Sequence, residues 1–340
     1  MSGNPIRLKP GKLPAPLLAE LLGRIEHRDP RVLLGPGVGR DAALISFGAT
    51  TLIAKTDPVT FATDLIGWYA VQVNANDIAV CGGVPKWFLA TVLLPDGSAP
   101  ETATSIFEQL RSAAGSLGVE LVGGHTEVTT GVSRPIVVGL MLGEAPASGT
   151  LSPGTARPGD PVILTKGIAI EGTALLAREA HGRLRAAGVT RAVIERAGQF
   201  LFDPGISVVK DARAALSAGG VTAMHDPTEG GLATALAELA AAAGCGIEVQ
   251  AGKVQVFPET RSLCDALDAD PWGLIASGAL LIAASPGAEG GIIARLAGEG
   301  VQATVIGRLT DAGEGSSVVE GVRRRPLPVF ERDEIARLLE

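Results

Sequence analysis

The chain has 340 residues, of which 46% are hydrophobic and only 4% aromatic, so its core must be built from Ala, Val, Leu and Ile. A formal net charge of −7, with no basic cluster beyond the short run Arg323 to Arg325, argues against nucleic acid as a partner. Three cysteines without C-x-x-C spacing (Cys81, Cys245, Cys264) predict reduced thiols. With no hydrophobic signal core and no apolar stretch of about 20 residues, the expectation is a soluble, cytoplasmic protein with no membrane contact.

The length suggests about two domains. Residues 1–34 read as a tail and an amphipathic helix (Leu13 to Ile25), with Pro14 and Pro16 near its start. Next comes Gly35-Pro36-Gly37-Val38-Gly39-Arg40-Asp41-Ala42-Ala43. It fits neither G-x-G-x-x-G nor G-x-x-x-x-G-K-[ST], so the standard dinucleotide and P-loop readings fail. A Gly-rich loop ending in an acid can still wrap a phosphate with backbone N–H groups while the acid holds a metal; the alternative is a plain loop. Thr51 to Thr56 reads as a buried strand that delivers Asp57 to a loop.

Leu65 to Cys81 reads as a helix, stopped by Gly82-Gly83 and Pro85. Near its end lies Asn74-Ala75-Asn76-Asp77. Asn74 and Asp77 are three apart and share one face. Burying such groups is costly without partners, and hydrated Mg²⁺ is a candidate partner; an exposed polar helix end is the other reading. Strands follow at Phe88 to Leu94 and Pro135 to Leu142, with a helix from Glu101 to Leu117. A short strand, Val119 to Val122, leads into Gly123-Gly124-His125-Thr126-Glu127.

The Pro-, Gly- and Ser-rich stretch from Glu144 to Gly159 marks a boundary between domains at 35–145 and 155–310, with 311–340 as a C-terminal tail. The second half restarts with strand Pro161 to Thr165, then Lys166, which can meet a phosphate or simply end its strand. Strand Val221 to Met224 runs into His225-Asp226-Pro227-Thr228-Glu229-Gly230-Gly231, which opens an Ala-rich helix. Asp226 and Glu229 there can act in a site or cap the helix. Both halves mix strands and helices, so the predicted class is α/β (α+β). Asp41, Asp57, Asp77 and His125-Thr126-Glu127 lie at element ends, from which site residues can converge.

These pieces carry a resemblance to the superfamily of aminoimidazole ribonucleotide (AIR) synthetase. It includes thiamine-monophosphate kinase, selenophosphate synthetase and the hydrogenase-maturation HypE proteins. The matching pieces are Gly39-Arg40-Asp41-Ala42-Ala43, Thr56-Asp57, Asn76-Asp77-Ile78-Ala79 with Gly82 and Pro85, Gly123-Gly124, and His225-Asp226-x-Thr228-x-Gly230-Gly231. They occur in family order from about residue 35 to 310; HypE-like and AIR-synthetase-related proteins look nearest.

The resemblance implies a two-domain PurM-like fold. Its N-terminal domain binds ATP and pairs with a second copy into a dimeric β-barrel, and its C-terminal domain is an α/β sandwich. It implies ATP contacts at Gly39, Asp41, Asn76, Asp77, Gly123, Gly124, His125 and Thr126, and Mg²⁺ ligands at Asp41, Asp57 and Asp77. It further implies catalytic roles for His225 and Asp226, with Lys166 as a further candidate. The expected activity is ATP- and Mg²⁺-dependent phosphorylation of an oxygen on a small substrate. A thiamine-monophosphate-kinase-like enzyme and a nucleotide-binding maturation partner without turnover remain as alternatives. Asp77→Asn is expected to weaken Mg²⁺-ATP binding on the order of a hundredfold.

Three departures qualify the resemblance. Arg40-Asp41 replaces two adjacent acids, so a ligand is missing or Arg40 meets phosphate itself. His125 stands where many relatives carry an acid. No cysteine follows Cys264, whereas HypE proteins end in one that receives a carbamoyl group, so that chemistry is not expected here.

Overall fold

The structure, a computed structural model, describes Leu13 and residues 15–37, 40–146 and 149–339. Two mixed sheets organise it, one in each half. The first half runs α1 (Ala15–Leu22), β1 (Val32–Leu34), β2 (Ala43–Phe47), β3 (Thr50–Val59), α2 (Ile66–Val80), β4 (Val84–Pro95), α3 (Pro100–Leu117), β5 (Glu120–Thr129) and β6 (Ile136–Glu144). Its strands lie in the order β1-β2-β3-β6-β4-β5. All pairs are antiparallel except β4–β5, whose parallel pairing requires the crossover that α3 provides.

Helices α2 and α3 cover one face of this sheet. Phe88, Ala90, Val92 and Leu94 alternate along β4 toward them and are buried with Ala70, Ile106 and Leu110. The intervening Leu89, Thr91 and Leu93 stay partly exposed, as does Leu140, which pairs with Leu89. Helix α2 has 13 of its 15 residues buried, so it is enclosed on nearly all sides rather than lying on a surface.

The second half runs β7 (Pro161–Thr165), α4 (Ile170–Glu179), α5 (His181–Ala186), α6 (Arg191–Gly198), α7 (Val209–Ala218), β8 (Val221–His225), α8 (Gly231–Ala243), β9 (Gly246–Gln250), α9 (Pro258–Leu267), β10 (Leu281–Ala284), α10 (Glu289–Gly298), β11 (Ala303–Thr310), β12 (Ser316–Glu320), β13 (Arg323–Pro326) and α11 (Glu334–Leu338). The sheet order is β13-β12-β9-β11-β7-β10-β8, parallel only between β9 and β12. Helix α8 packs on one face through Leu232, Leu236 and Leu239; α7 and α10 pack on the other against Ile163, Met224 and Ile282. One apolar cluster continues from α2 and β4 into α4, α6 and α9, so the two halves share a core.

Two stretches differ from the sequence expectation. Residues 311–340, set apart as a tail, supply two strands of the second sheet and a packed helix. The stretch Gly123-Gly124-His125-Thr126-Glu127, expected to follow a strand ending at Val122, lies inside strand β5. The glycines do not break the strand because Gly124 serves a close approach: a Cβ there would lie 2.0 Å from the Ala90 carbonyl oxygen on β4.

Candidate functional site

The site forms where β3, α2 and the start of β2 meet the end of β8. Along β3 the side chains of Ile53, Lys55, Asp57 and Val59 share the face turned to α2. Helix α2 answers with two residues three apart. Asn74 Oδ1 accepts from the Asp57 N–H at 2.9 Å, and its amide NH₂ donates to the Asp57 carbonyl (3.3 Å) and the Ala70 carbonyl (2.8 Å). Asp77 meets the Lys55 ammonium at 3.2 Å, and Asp57 meets the same ammonium at 3.2 Å. Burial works against the Lys55 charge, but Asp77, Asp57 and Asp41 overcome it, so its pKa is raised and it is held as a cation. Burial pushes the Asp77 carboxyl well above the usual carboxylate range, with Lys55 pulling the other way.

The second half contributes His225 and Asp226. His225 Nδ1 lies 3.3 Å from Asp41 Oδ2, and Nε2 lies 3.0 Å from Glu238 Oε2 on α8. Burial opposes protonation of the imidazole, but the two carboxylates prevail and raise its pKa, so it donates from both nitrogens. Asp226 is 2% exposed, and its Oδ1 has no hydrogen-bond partner among the described residues. Burial, reinforced by the Asp41 charge, lifts its pKa to about 7, against the pull of His225 and Lys55. It does not cap α8, whose N-cap is Gly230 with no side-chain cap bond. Gly230 and Gly231 both have positive φ, and a Cβ on Gly231 would lie 2.5 Å from the Trp272 carbonyl oxygen.

Ligand atoms of Asp41, His225 and Asp226 lie within 4.8 Å of one another. Both His225 nitrogens are already engaged, so the imidazole is a poor ligand. The two carboxylates, one with an orphaned buried oxygen, suit a hard oxygen-seeking dication. Of the expected trio Asp41, Asp57 and Asp77, the structure places the last two on either side of the Lys55 ammonium.

Other expected residues lie elsewhere. Asn76 is fully buried, and both ends of its amide are bonded: Nδ2 to the Ile206 carbonyl and Oδ1 to the Val208 N–H, each at 2.8 Å. It joins the two halves. Gly123, Gly124, His125 and Thr126 sit on β5, at the opposite edge of the sheet from β1, with three strand-to-strand steps separating β5 from the β3 that carries Asp57. His125 pairs with Glu127 at 3.1 Å in the open. Lys166 donates to the Ser207 carbonyl (2.8 Å) and pairs with Asp211 (3.1 Å), lining a separate cavity of about 660 Å³. Arg40 folds onto its own loop, donating to the Gly35 carbonyl at 3.1 Å. Gly39 lies outside the described residues.

Beside the acids opens a cavity of about 480 Å³, lined by Asp57, Tyr69, Glu171, Thr228, Glu229 and Ser277. Glu171 Oε2 and the Tyr69 hydroxyl are buried without partners among the described residues. Burial lifts Glu171 to about 7, against its bond to Ser277. Sequence reasoning missed Lys55, Glu238, Glu171 and Tyr69. For Lys55 a signal existed: it stands two residues from Asp57 on one strand, hence on the same face. Glu171 and Glu238 lie in helices whose sequence gives no such cue.

Family profiles decide the assignment. The AIR synthase related protein N-terminal domain matches residues 39–145, and the C-terminal domain of the same family matches residues 157–320. The chain belongs to the AIR synthase related family. The carbamoyl dehydratase HypE of Rhodobacter capsulatus is 31% identical over 279 residues, covering 79% of this chain and 78% of that protein. The crystal structure of Escherichia coli HypE matches with a TM-score of 0.74 at 22% identity, over 95% of this chain and 98% of that one. A hydrogenase maturation protein HypE in complex with ATP matches with a TM-score of 0.70, also at 22% identity, over 94% and 91%. The family's mixed α/β, two-domain PurM-like fold is the architecture described above.

Proposed function

We propose that this chain is an ATP- and Mg²⁺-dependent enzyme that activates an oxygen of a small substrate by phosphorylation. The observation that carries the reading is the meeting of Asp41, Asp57 and Asp77 from the first half with His225 and Asp226 from the second, beside an open cavity. Phosphoryl transfer asks for positioned phosphates and neutralised charge more than for a strong nucleophile, and no activated nucleophile is needed here. A HypE relative with ATP bound supports the nucleotide.

In this reading Asp41 and Asp226 hold the metal, which supplies charge neutralisation for the nucleotide phosphates. Lys55 keeps Asp57 and Asp77 from repelling one another. Asn74 fixes the Asp57 backbone. His225, held between Asp41 and Glu238, locks the end of β8 against the first half. The cavity takes the acceptor, with Glu171, Tyr69, Thr228 and Ser277 offering hydrogen bonds.

A second copy completes the proposal. Strand β5 is an edge with both faces exposed, and Val122 and Val128 are more than half exposed on it. Pairing with a second chain would cover that edge and the open face around Leu89 and Leu140. It would also offer His125 and Thr126 to the partner's nucleotide.

The test is ADP release measured over a panel of carboxamides, carboxylates and phosphate esters, with ATP and Mg²⁺ present. Turnover stimulated by at least one class, and lost in Asp226→Asn, is expected. Tight ATP binding without stimulation by any class would instead make the chain a nucleotide-binding partner.

A further inference from the structure

The carboxylates at the site divide into two pairs, and the pairs differ in what holds them. Asp57 Oδ2 and Asp77 Oδ2 converge on Lys55 Nζ, 3.2 Å from each. The lysine side chain is 19% exposed and the Asp77 side chain 6%, so the Lys55–Asp77 contact is shielded, while Asp57, at 40%, is the open end of the bridge. Asp41 and Asp226 form the other pair. Asp41 receives His225 from one side, and the buried Oδ1 of Asp226 faces no donor among the described residues.

Two carboxylates brought to one point repel unless a cation lies between them. On the Asp57–Asp77 side that cation is covalently part of the chain. An ammonium donates to carboxylate oxygens in up to three directions, carries a single charge and cannot be chelated away. Among the described residues Lys55 pairs with Asp57 and Asp77, and His225 pairs with Asp41 and Glu238. One divalent ion fits the Asp41–Asp226 side, where the buried Asp226 Oδ1 has no hydrogen-bond partner among the described residues; a second ion, on the Asp57–Asp77 side, would have to displace Lys55.

We propose that Lys55 is a built-in cation that fills the Asp57–Asp77 half of the carboxylate set, leaving the Asp41–Asp226 half for a single exchangeable divalent ion. The inference refines the phosphoryl-transfer reading by stating how many metal ions the site takes, and it rests on that reading only in treating the acids as a cation site. Lys55 is then a positioning residue: it orients Asp57 and Asp77 without itself being exchanged.

The experiment counts Mn²⁺ bound to the full chain at saturation, by equilibrium dialysis without nucleotide. Wild type should bind one Mn²⁺ per chain. Lys55→Met, close in shape but uncharged, should bind two. Lys55→Arg, which keeps the charge, should stay at one, and Asp226→Asn should bind none. Two ions in wild type, or one in Lys55→Met, would overturn the proposal. Should Lys55→Met fold only when metal is present, its melting temperature should rise with Mn²⁺ by more than that of wild type; an equal rise would count against the proposal. ATP binding, measured separately, keeps the two readings apart. One Mn²⁺ with no ATP affinity sinks the enzyme reading and leaves the Lys55 assignment standing, and ATP binding with two Mn²⁺ does the reverse.

Discussion

Asp333 offers the sharpest test of how the C-terminal segment supports the site. Its side chain is 2% exposed and accepts from three backbone N–H groups. These are Gly230 at 2.6 Å, Ile275 at 3.2 Å and Ile335 at 2.7 Å. The last bond makes Asp333 the N-cap of α11. The first ties the segment to the turn that follows Asp226. Asp333→Ala would leave three buried donors without a partner. At about 1–2 kcal/mol each after partial rehydration, the loss is about 3–6 kcal/mol. Urea unfolding at constant m-value reads the loss, and amide exchange at Gly230, Ile275 and Ile335 reads its location. Asp333→Asn, which keeps one accepting oxygen, should lose roughly half as much. A loss below about 1 kcal/mol for Asp333→Ala, with those three amides still protected, would show that the backbone donors have other partners and that the docking argument is wrong.

Three further outcomes are expected. Glu171, raised to about 7 by burial, binds its proton more tightly in the folded chain. The stability it contributes is therefore full below about pH 4.5 and is lost as pH rises through about 7, at most about 3 kcal/mol. Unfolding of Glu171→Gln at pH 5 and pH 8 should show a smaller difference than wild type; an unchanged difference would clear Glu171 as the cause. Asp77→Asn should keep one Mn²⁺ and lose less than tenfold in affinity, because Asp77 answers to Lys55, whereas Asp226→Asn should lose at least a hundredfold; calorimetry showing the reverse order would restore Asp77 as a ligand. Light scattering should give a dimer at micromolar concentration, and Leu140→Glu should yield monomer with its fold intact by circular dichroism; a monomeric wild type would refute the pairing of open sheet faces.

What could be read from the sequence follows from how far each signal reaches along the chain. Helix α2 was legible because its signals are local: an apolar run, two polar residues on one face, then Gly82-Gly83 and Pro85. Asn74 and Asp77 do share the face that meets β3. The glycine pair at 123–124 misled for the same reason. Locally it reads as the end of a short strand, yet Gly124 is required by a neighbouring strand that sequence alone does not place. Strand β12 was invisible because its partner β9 lies some seventy residues earlier and pairs in parallel. Asn76 shows the limit from the other side. A buried amide in a family motif fits a nucleotide contact and an interdomain clamp equally well, and only the position of residues 206–208 reveals the clamp. Lys55 stands between these cases. Alternation on β3 puts it on the face of Asp57, and an acid on the facing helix makes a buried lysine affordable there. The first half of that inference is local and needs only the period of a strand. The second half needs the packing of β3 against α2. A cation on an acid-bearing strand therefore becomes a reason to ask what the next helix presents before a metal is assigned to the acids.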